Sequence, residues 1–272
     1  KLQQNGHKVA YFMIDALRYE LGVALEKQLA YDAAIDLTPT MAQLPSTTLV
    51  GMASLVPGAG EGLRLKRSDK GLSPVVGDLP IGTVPQRMEV FRRRYGQRFD
   101  EVRLEEFVRG KTTAVADHVD LLVVRSVEID SHFENDPHTA PAEIGNALKR
   151  IRVAIHRLRQ QGFKEVVIAT DHGFCMNTHA GAGDVIQKPV GDWLVVHERC
   201  ALGDGSVAED HIVTDAEKVG VHGDFNRLAA PRSLAAYRAG LAYYHGGVSL
   251  QECVLPLITM QLKGEDQPTT TR

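Results

Sequence analysis

What the sequence lacks narrows it first. It has three cysteines, Cys175, Cys200 and Cys253, an odd number at unrelated spacings that argues against a disulfide framework and fits a reducing compartment. No two of them form a C-x-x-C pair, so neither a structural zinc knuckle nor a thioredoxin-like motif is expected. No apolar run approaches the ~18 residues of a membrane span, and no basic segment followed by an apolar one opens the chain. A soluble, cytoplasmic protein with no membrane partner is expected. An excess of positive charge is missing too: the formal net charge is −3, which predicts no general affinity for nucleic acid. Internal repeats and low-complexity tracts are absent. The chain opens on Lys1 and closes on the polar "GEDQPTTTR", which suggests a domain cut from a longer protein.

The 272 residues are enough to bury a sizeable core, and one large domain over 1–272 is expected. "KVAYFMI" (8–14) is a continuous apolar run that ends in Asp15, followed by "ALRYELGVALEKQL" with apolar residues near i, i+4 and i+8. A buried strand, a carboxylate and a crossover helix follow from that order. "LPSTTLVGMASLVPG" (44–58) begins with a turn or cap cluster and becomes a short apolar helix stopped by Pro57-Gly58, so its hydroxyls sit at a helix N-terminus. From 59 to 118 the pattern dissolves into glycine, proline and charge, with only 86–109 helix-like; an inserted cap is expected there. Within it, residues 61–111 carry twelve Lys/Arg against eight Asp/Glu, a local basic excess that suits a solvated helix face or a nucleic-acid groove.

The core resumes with "VDLLVVRS" (119–126), which leads into Glu128 and Asp130, and then an amphipathic helix with Pro141 near its first turn and Ile144, Leu148, Ile151, Ile155 and Leu158 on one face. A strand over 164–170 follows. Strand, helix and strand at this spacing predict a right-handed βαβ unit, hence an α/β fold with a mostly parallel sheet sandwiched by helices. "DWLVVHERC" gives a further strand. Near the end, His245 precedes a Gly-Gly turn, Ser249-x-x-Glu252 forms a capping box, and a last strand starts near Val254.

Each clear core strand therefore ends in a side chain able to bind a metal: Asp15 after the first, Asp130 after the second, Asp171-His172 after "VVIAT". His245 stands before the last strand. The carboxyl edge of a parallel sheet is where open α/β folds place ligands. Carboxylates and imidazoles gathered there are what neighbouring divalent ions require, and a nearby hydroxyl is a nucleophile such ions can activate.

The segments "MIDALRYE", "LPSTTLVGMASLVPG", "VEID", "TDHGF" and "HGGVSLQECVLPLI", in this order, resemble the PglZ domain, a branch of the alkaline phosphatase superfamily. PglZ domains are components of bacterial BREX-type phage defence systems and occur in some response regulators. The resemblance implies an alkaline-phosphatase-like core and two divalent ions, Zn²⁺ or alternatively Mn²⁺ or Mg²⁺. It implies one ion on Asp15, Asp171, His172 and the nucleophile hydroxyl, and a second on Asp130 and His245. The superfamily nucleophile falls three residues after the proline of a P-x-x-T stretch and ten before a glycine that closes the helix. Here those are Pro45, Thr48 and Gly58, so Thr48 is the implied nucleophile and Thr47 the second choice. Many relatives complete the second ion with a histidine four residues after the aspartate; that place holds Glu134, with His132 and His138 beside it. Glu134 or His138 would then be the substitute ligand.

The implied activity is a metal-dependent phosphoesterase forming a phospho-threonine at Thr48. Monoesterases commonly hold the extra phosphate charge with an arginine near the nucleophile, and "LVGMASL" after Thr48 offers none, which points to diesters in nucleotides or nucleic acid. Two alternatives share the sequence: a weakly active or inactive metal-binding module recruiting other defence proteins, and a phosphomutase. Arg18 could orient Asp15 or a phosphate, His179 could reach the site, and His156 belongs on the solvent side of its helix.

Overall fold

The computed structural model describes residues 7–30, 33–69, 71–110, 114–177 and 184–262. The apolar run near the start forms β1 (Val9–Ile14), buried along almost its whole length, and turns at Asp15-Ala16 into α1 (Tyr19–Leu29). Next comes β2 (Ala33–Met41), largely exposed and containing a proline, as an edge strand can tolerate. The apolar helix after the hydroxyl cluster is α2 (Thr48–Ser54), followed by α3 (Ala59–Gly62), β3 (Leu63–Ser68), β4 (Gly71–Val76), β5 (Leu79–Pro80) and α4 (Val84–Tyr95). The chain continues as β6 (Phe99–Arg103), α5 (Leu104–Val108), β7 (Leu121–Ser126), α6 (Glu128–Asn135), α7 (Ala140–Gln160), β8 (Glu165–Thr170) and β9 (Cys175–Met176). It ends with β10 (Val190–His197), β11 (Cys200–Ser206), β12 (His211–Asp215), β13 (Arg227–Pro231), β14 (Tyr243–Tyr244), α8 (Leu250–Cys253) and β15 (Val254–Leu262).

Contacts gather these elements into two compact units, Lys1–Thr40 with Phe91–Thr170 and Pro256–Arg272, and Met41–Val90 with Asp171–Leu255. The first unit is built on a six-stranded sheet of order β2-β15-β8-β1-β7-β6. Strands β6, β7, β1 and β8 run parallel, and β15 joins β8 antiparallel, so the fold is α/β with a mixed, mostly parallel sheet. In the central ladder Ile14 is opposite both Ser126 and Thr170. Helix α7 presents Leu148, Ile151, Ala154, Ile155 and Leu158 as its buried stripe and packs against α5 and α6. His156 faces solvent, as its place off that stripe requires. The second unit holds a four-stranded sheet of order β10-β11-β13-β12, a three-stranded sheet β3-β4-β5 and a two-stranded pair β14-β9.

The span 59–118 departs from a simple insertion. Its first part forms α3 and β3 to β5 in the second unit, but Phe99–Arg103 is β6, paired parallel with β7 in the main sheet. The strand was illegible because an edge position buries only Phe99 and Val102 of its five residues, too few to show a strand period. The helical stretch expected over 86–109 is accordingly broken into α4 and α5. "DWLVVHERC" is half of a hairpin, with Glu198-Arg199 turning β10 into β11.

Candidate active site

In the first unit two carboxylates leave neighbouring parallel strands. Asp15 follows β1, is 1% exposed, and its N–H donates to Ser126 O at 2.9 Å. The turn after it is pinned where Leu17 N–H donates to Thr170 Oγ1 at 3.0 Å, and Ala16 takes φ 57°, a backbone region that L-residues other than Asn and Asp seldom occupy. Asp130 stands in the first turn of α6 and is also buried. Buried carboxylates are costly unless donors or a cation compensate them.

Glu134 and His138, offered by the sequence as substitute ligands, are exposed on α6 and on the turn after it. His138 N–H donates to Asp136 Oδ1 at 3.2 Å. His132 lies 3.5 Å from Glu128 Oε1, which also binds Arg150 at 2.5 Å. Arg18 is engaged with Glu20 at 2.6 Å. His179 falls outside the described residues.

The second unit carries the hydroxyl and the imidazoles. Thr48 is the first residue of α2, with Thr47 as its extended N-cap, and Thr48 Oγ1 lies 3.0 Å from His172 Nε2. Thr47 is buried, and its hydroxyl finds no hydrogen-bond partner among the described residues. Helix α2 can approach because position 51 is glycine: a Cβ there would sit 2.5 Å from Asp171 O and 2.6 Å from Asp171 Cβ. His172 is fully buried and stacks on His245, centroids 3.9 Å apart and planes 7° from parallel.

Both rings are held the same way. His172 Nδ1 lies 2.9 Å from Gly173 O and His245 Nδ1 lies 3.2 Å from Ser46 O. A backbone carbonyl can only accept, so each Nδ1 carries a proton, and in the neutral ring the lone pair is then on Nε2, the arrangement common to metal-binding histidines. Burial, then the neighbouring His172 and His197, push the His245 pKa well below 6.5, which keeps it neutral and competent as a ligand. Donor atoms of Asp171 and His172, and of His172 and His245, lie within 4.8 Å of each other. Each pairing, a carboxylate with an imidazole and two imidazoles together, places buried donors of the kind a divalent cation takes.

Three features escaped the sequence. His197, whose surroundings there gave no sign of a role, packs its ring against His245 at 4.2 Å between centroids. Ser46 ties the segment entering α2 to the loop after His245, its Oγ donating to Gly247 O at 2.6 Å. Glu252, legible only as a capping-box residue, also pairs with the buried Arg199 at 3.0 Å. These partners are dozens to hundreds of residues apart in sequence; the Gly-Gly after His245 was the one hint of close packing. A Cβ on Gly246, at φ 102°, would meet His197 Cβ at 2.9 Å, and one on Gly247 would meet Arg199 Nε at 2.6 Å.

Comparison with known structures supports the fold. The chain is similar to murine ectonucleotide pyrophosphatase/phosphodiesterase 5, both unaltered and as an inactive threonine-to-alanine variant in complex with AMP. Each has a TM-score of 0.63 at 11% identity, and the alignments cover 92–93% of this chain and 87% of theirs. The human counterpart aligns with a TM-score of 0.60 at 10% identity, covering 92% of this chain and 87% of its own. Among curated proteins, the alkaline phosphatase-like protein PglZ of Bacillus cereus (strain H3081.97) is 23% identical over 263 residues, 92% of this chain and 30% of that protein. The chain thus spans less than a third of the curated relative it matches. Among the described residues no helix is long and apolar enough to cross a membrane. Residues 1–260 match the family model of the BREX system PglZ alkaline phosphatase-like domain, and the chain belongs to that family.

Proposed function

We propose that the chain is a metal-dependent phosphoesterase that hydrolyses phosphodiesters, in a nucleotide or nucleic acid, through Thr48, and that it serves a BREX-type defence system alongside other defence proteins. The observation that carries this reading is the Thr48 hydroxyl held 3.0 Å from the Nε2 of His172, the ring nitrogen that a neutral imidazole with its proton on Nδ1 offers to a cation. Thr47, the alternative nucleophile, is buried and makes no comparable approach.

In this reading Asp15, Asp171, His172 and Thr48 share one divalent ion, and Asp130 and His245 hold a second. Support comes from the register: Asp15 and Asp171 follow Ile14 and Thr170, which are partners in the β1–β8 ladder, and β7, which leads to Asp130, flanks β1 on the other side. Zn²⁺ suits the imidazole-rich set, and Mn²⁺ or Mg²⁺ suits its carboxylates. When bound, such ions lower the pKa of a hydroxyl and neutralise charge on phosphoryl oxygens. The chain's own work is to orient Thr48 for in-line attack, to fix both imidazoles by their Nδ1–H groups, and to keep Asp171 and His172 out of bulk water. The murine structural neighbour is made inactive by replacing a threonine with alanine and holds AMP, which accords with a threonine nucleophile and a nucleotide-type diester.

The test is hydrolysis of bis-(p-nitrophenyl) phosphate with Zn²⁺, Mn²⁺ or Mg²⁺. Thr48→Ala should lose several orders of magnitude in rate, about the size expected for a covalent nucleophile, while Thr48→Ser retains part of it. Full activity in Thr48→Ala together with loss in Thr47→Ala transfers the role to Thr47. A parent chain inert with every ion favours instead a metal-binding module that recruits partners.

A further inference from the structure

Helix α8 is only four residues long, yet Glu252 within it is wholly buried and so is Arg199 opposite. Arg199 Nε donates to Glu252 Oε1 at 3.0 Å and Oε2 at 3.2 Å, and its Nη2 donates to Ser233 O at 3.1 Å. A buried ion pair is seldom a net gain in stability over apolar packing, since desolvation offsets the attraction. What this pair does instead is visible in its remaining hydrogen bonds.

Glu252 Oε1 accepts the N–H of Gly247 at 2.8 Å, and Oε2 accepts the N–H and hydroxyl of Ser249 at 3.2 and 2.6 Å. Gly247 O in turn accepts the Ser46 hydroxyl at 2.6 Å. Ser46 O then accepts the Nδ1–H of His245 at 3.2 Å. The main chain of Glu252 continues the network on the other side, its carbonyl accepting the N–H of Gly173 at 2.8 Å, next to His172. One carboxylate-bearing residue thus stands between the loop carrying His245, the segment entering Thr48 and the segment carrying His172. Gly247 must be glycine for this, because a Cβ would sit 2.8 Å from Glu252 Oε2.

We propose that Arg199 and Glu252 are positioning residues whose ion pair, acting through Gly247 and Ser46, sets where His245 holds its Nε2 and where the segment leading into Thr48 begins. The inference rests on the reading of His245 as a metal ligand. Residues that orient a ligand imidazole typically govern metal affinity by about 10- to 100-fold.

The experiment uses the double variant Arg199→Met/Glu252→Leu, which removes both charges and leaves neither buried alone, and measures two things. One is the His245 Nδ1–H resonance of the metal-free chain, whose slow solvent exchange reports the bond to Ser46 O. The other is Zn²⁺ binding by calorimetry. A folded double variant should lose the protected resonance and bind Zn²⁺ about 10- to 100-fold more weakly. A folded double variant that keeps both the resonance and the affinity overturns the inference. If the double variant does not fold, Ser46→Ala, which removes one neutral link of the same chain, decides by the same two readouts. If the parent takes up no Zn²⁺ at all, the functional reading falls, and the imidazole resonance alone decides the positioning role.

Discussion

Gly51→Ala is the smallest change that should dismantle the site while leaving the fold standing. The added Cβ would lie 2.5 Å from Asp171 O and 2.6 Å from Asp171 Cβ, where ordinary contact begins at 3.4 Å. Neither neighbour is a flexible side-chain end, so about 0.9 Å must be found by moving α2 or the main chain of Asp171. Thr48 rides on the same helix, and its 3.0 Å approach to His172 would open beyond hydrogen-bond range. Overpacking of this kind costs about 1–3 kcal/mol, and replacing a helical glycine by alanine returns about 1 kcal/mol. The net loss of stability is therefore roughly 0–2 kcal/mol. Misplacing a reacting group by an ångström costs about 100-fold in rate, equivalent to ~2.7 kcal/mol, so activity should fall further than stability. Urea denaturation and bis-(p-nitrophenyl) phosphate hydrolysis measure the two separately. Gly60→Ala is the control, since a Cβ there meets nothing within 4 Å: activity should stay near the parent's, and stability should hold or rise by up to about 1 kcal/mol because Gly60 is in α3. A Gly51→Ala chain that hydrolyses the diester at the parent's rate refutes the reasoning.

Other outcomes follow from the same geometry. Asp171→Ala or His172→Ala should remove bound metal, read by elemental analysis, with circular dichroism little changed; full occupancy in both variants excludes these ligands. Because burial and neighbouring imidazoles depress the His245 pKa, the unfolded chain takes up the proton first as pH falls. The stability His245 contributes in the neutral state is thus complete above about pH 6.5 and is lost as pH drops from there toward its folded pKa. Thermal melts of the metal-free chain should show this acid slope, and His245→Asn should flatten it. Arg199→Met alone should cost about 3–5 kcal/mol in chemical denaturation, because Glu252 is left buried without its cation; a loss below ~1 kcal/mol contradicts the pairing. All three thiols are buried, with Cys253 pushed up to about 12 by burial and by Glu252. A thiol reagent at pH 8 should therefore label the cysteines only after denaturant is added.

How much of this could be read from the sequence depended on whether a signal was local. β1, β7 and β8 announced themselves because a strand buried on both faces has nothing polar to dilute its apolar run, and α7 because its stripe repeats over 21 residues. Asp15, Asp130 and Asp171-His172 were legible as candidates because each lies within four residues of such a strand. β2 and β6, edge strands with one face or less to bury, offered almost no period, and β6 was absorbed into an expected helix. The α2 hydroxyls were visible as a cluster, but which of Thr47 and Thr48 reaches His172 turns on a single residue's rotation at the start of a helix. Hydrophobic patterning does not encode that.

The partners of His245 were hidden for a different reason. Its support comes from Ser46, 199 residues away, and its ring stacks on His172 and meets His197 at a tilt; no regular element links them. His197 ends β10, while Ser46, His172 and His245 lie in irregular segments near helices of seven and four residues, too short to persist on their own. Such segments keep one geometry only if polar contacts over-determine it, and here the contacts converge on Glu252. Local opening of this network need not unfold the six-stranded sheet of the first unit, since segments with few cooperative hydrogen bonds open at lower free energy than core strands. Loss of ligand geometry should therefore precede loss of fold on warming. Zn²⁺ affinity measured against temperature should decline before the far-ultraviolet transition begins, and simultaneous loss of the two would mean that the site and the sheet unfold as one.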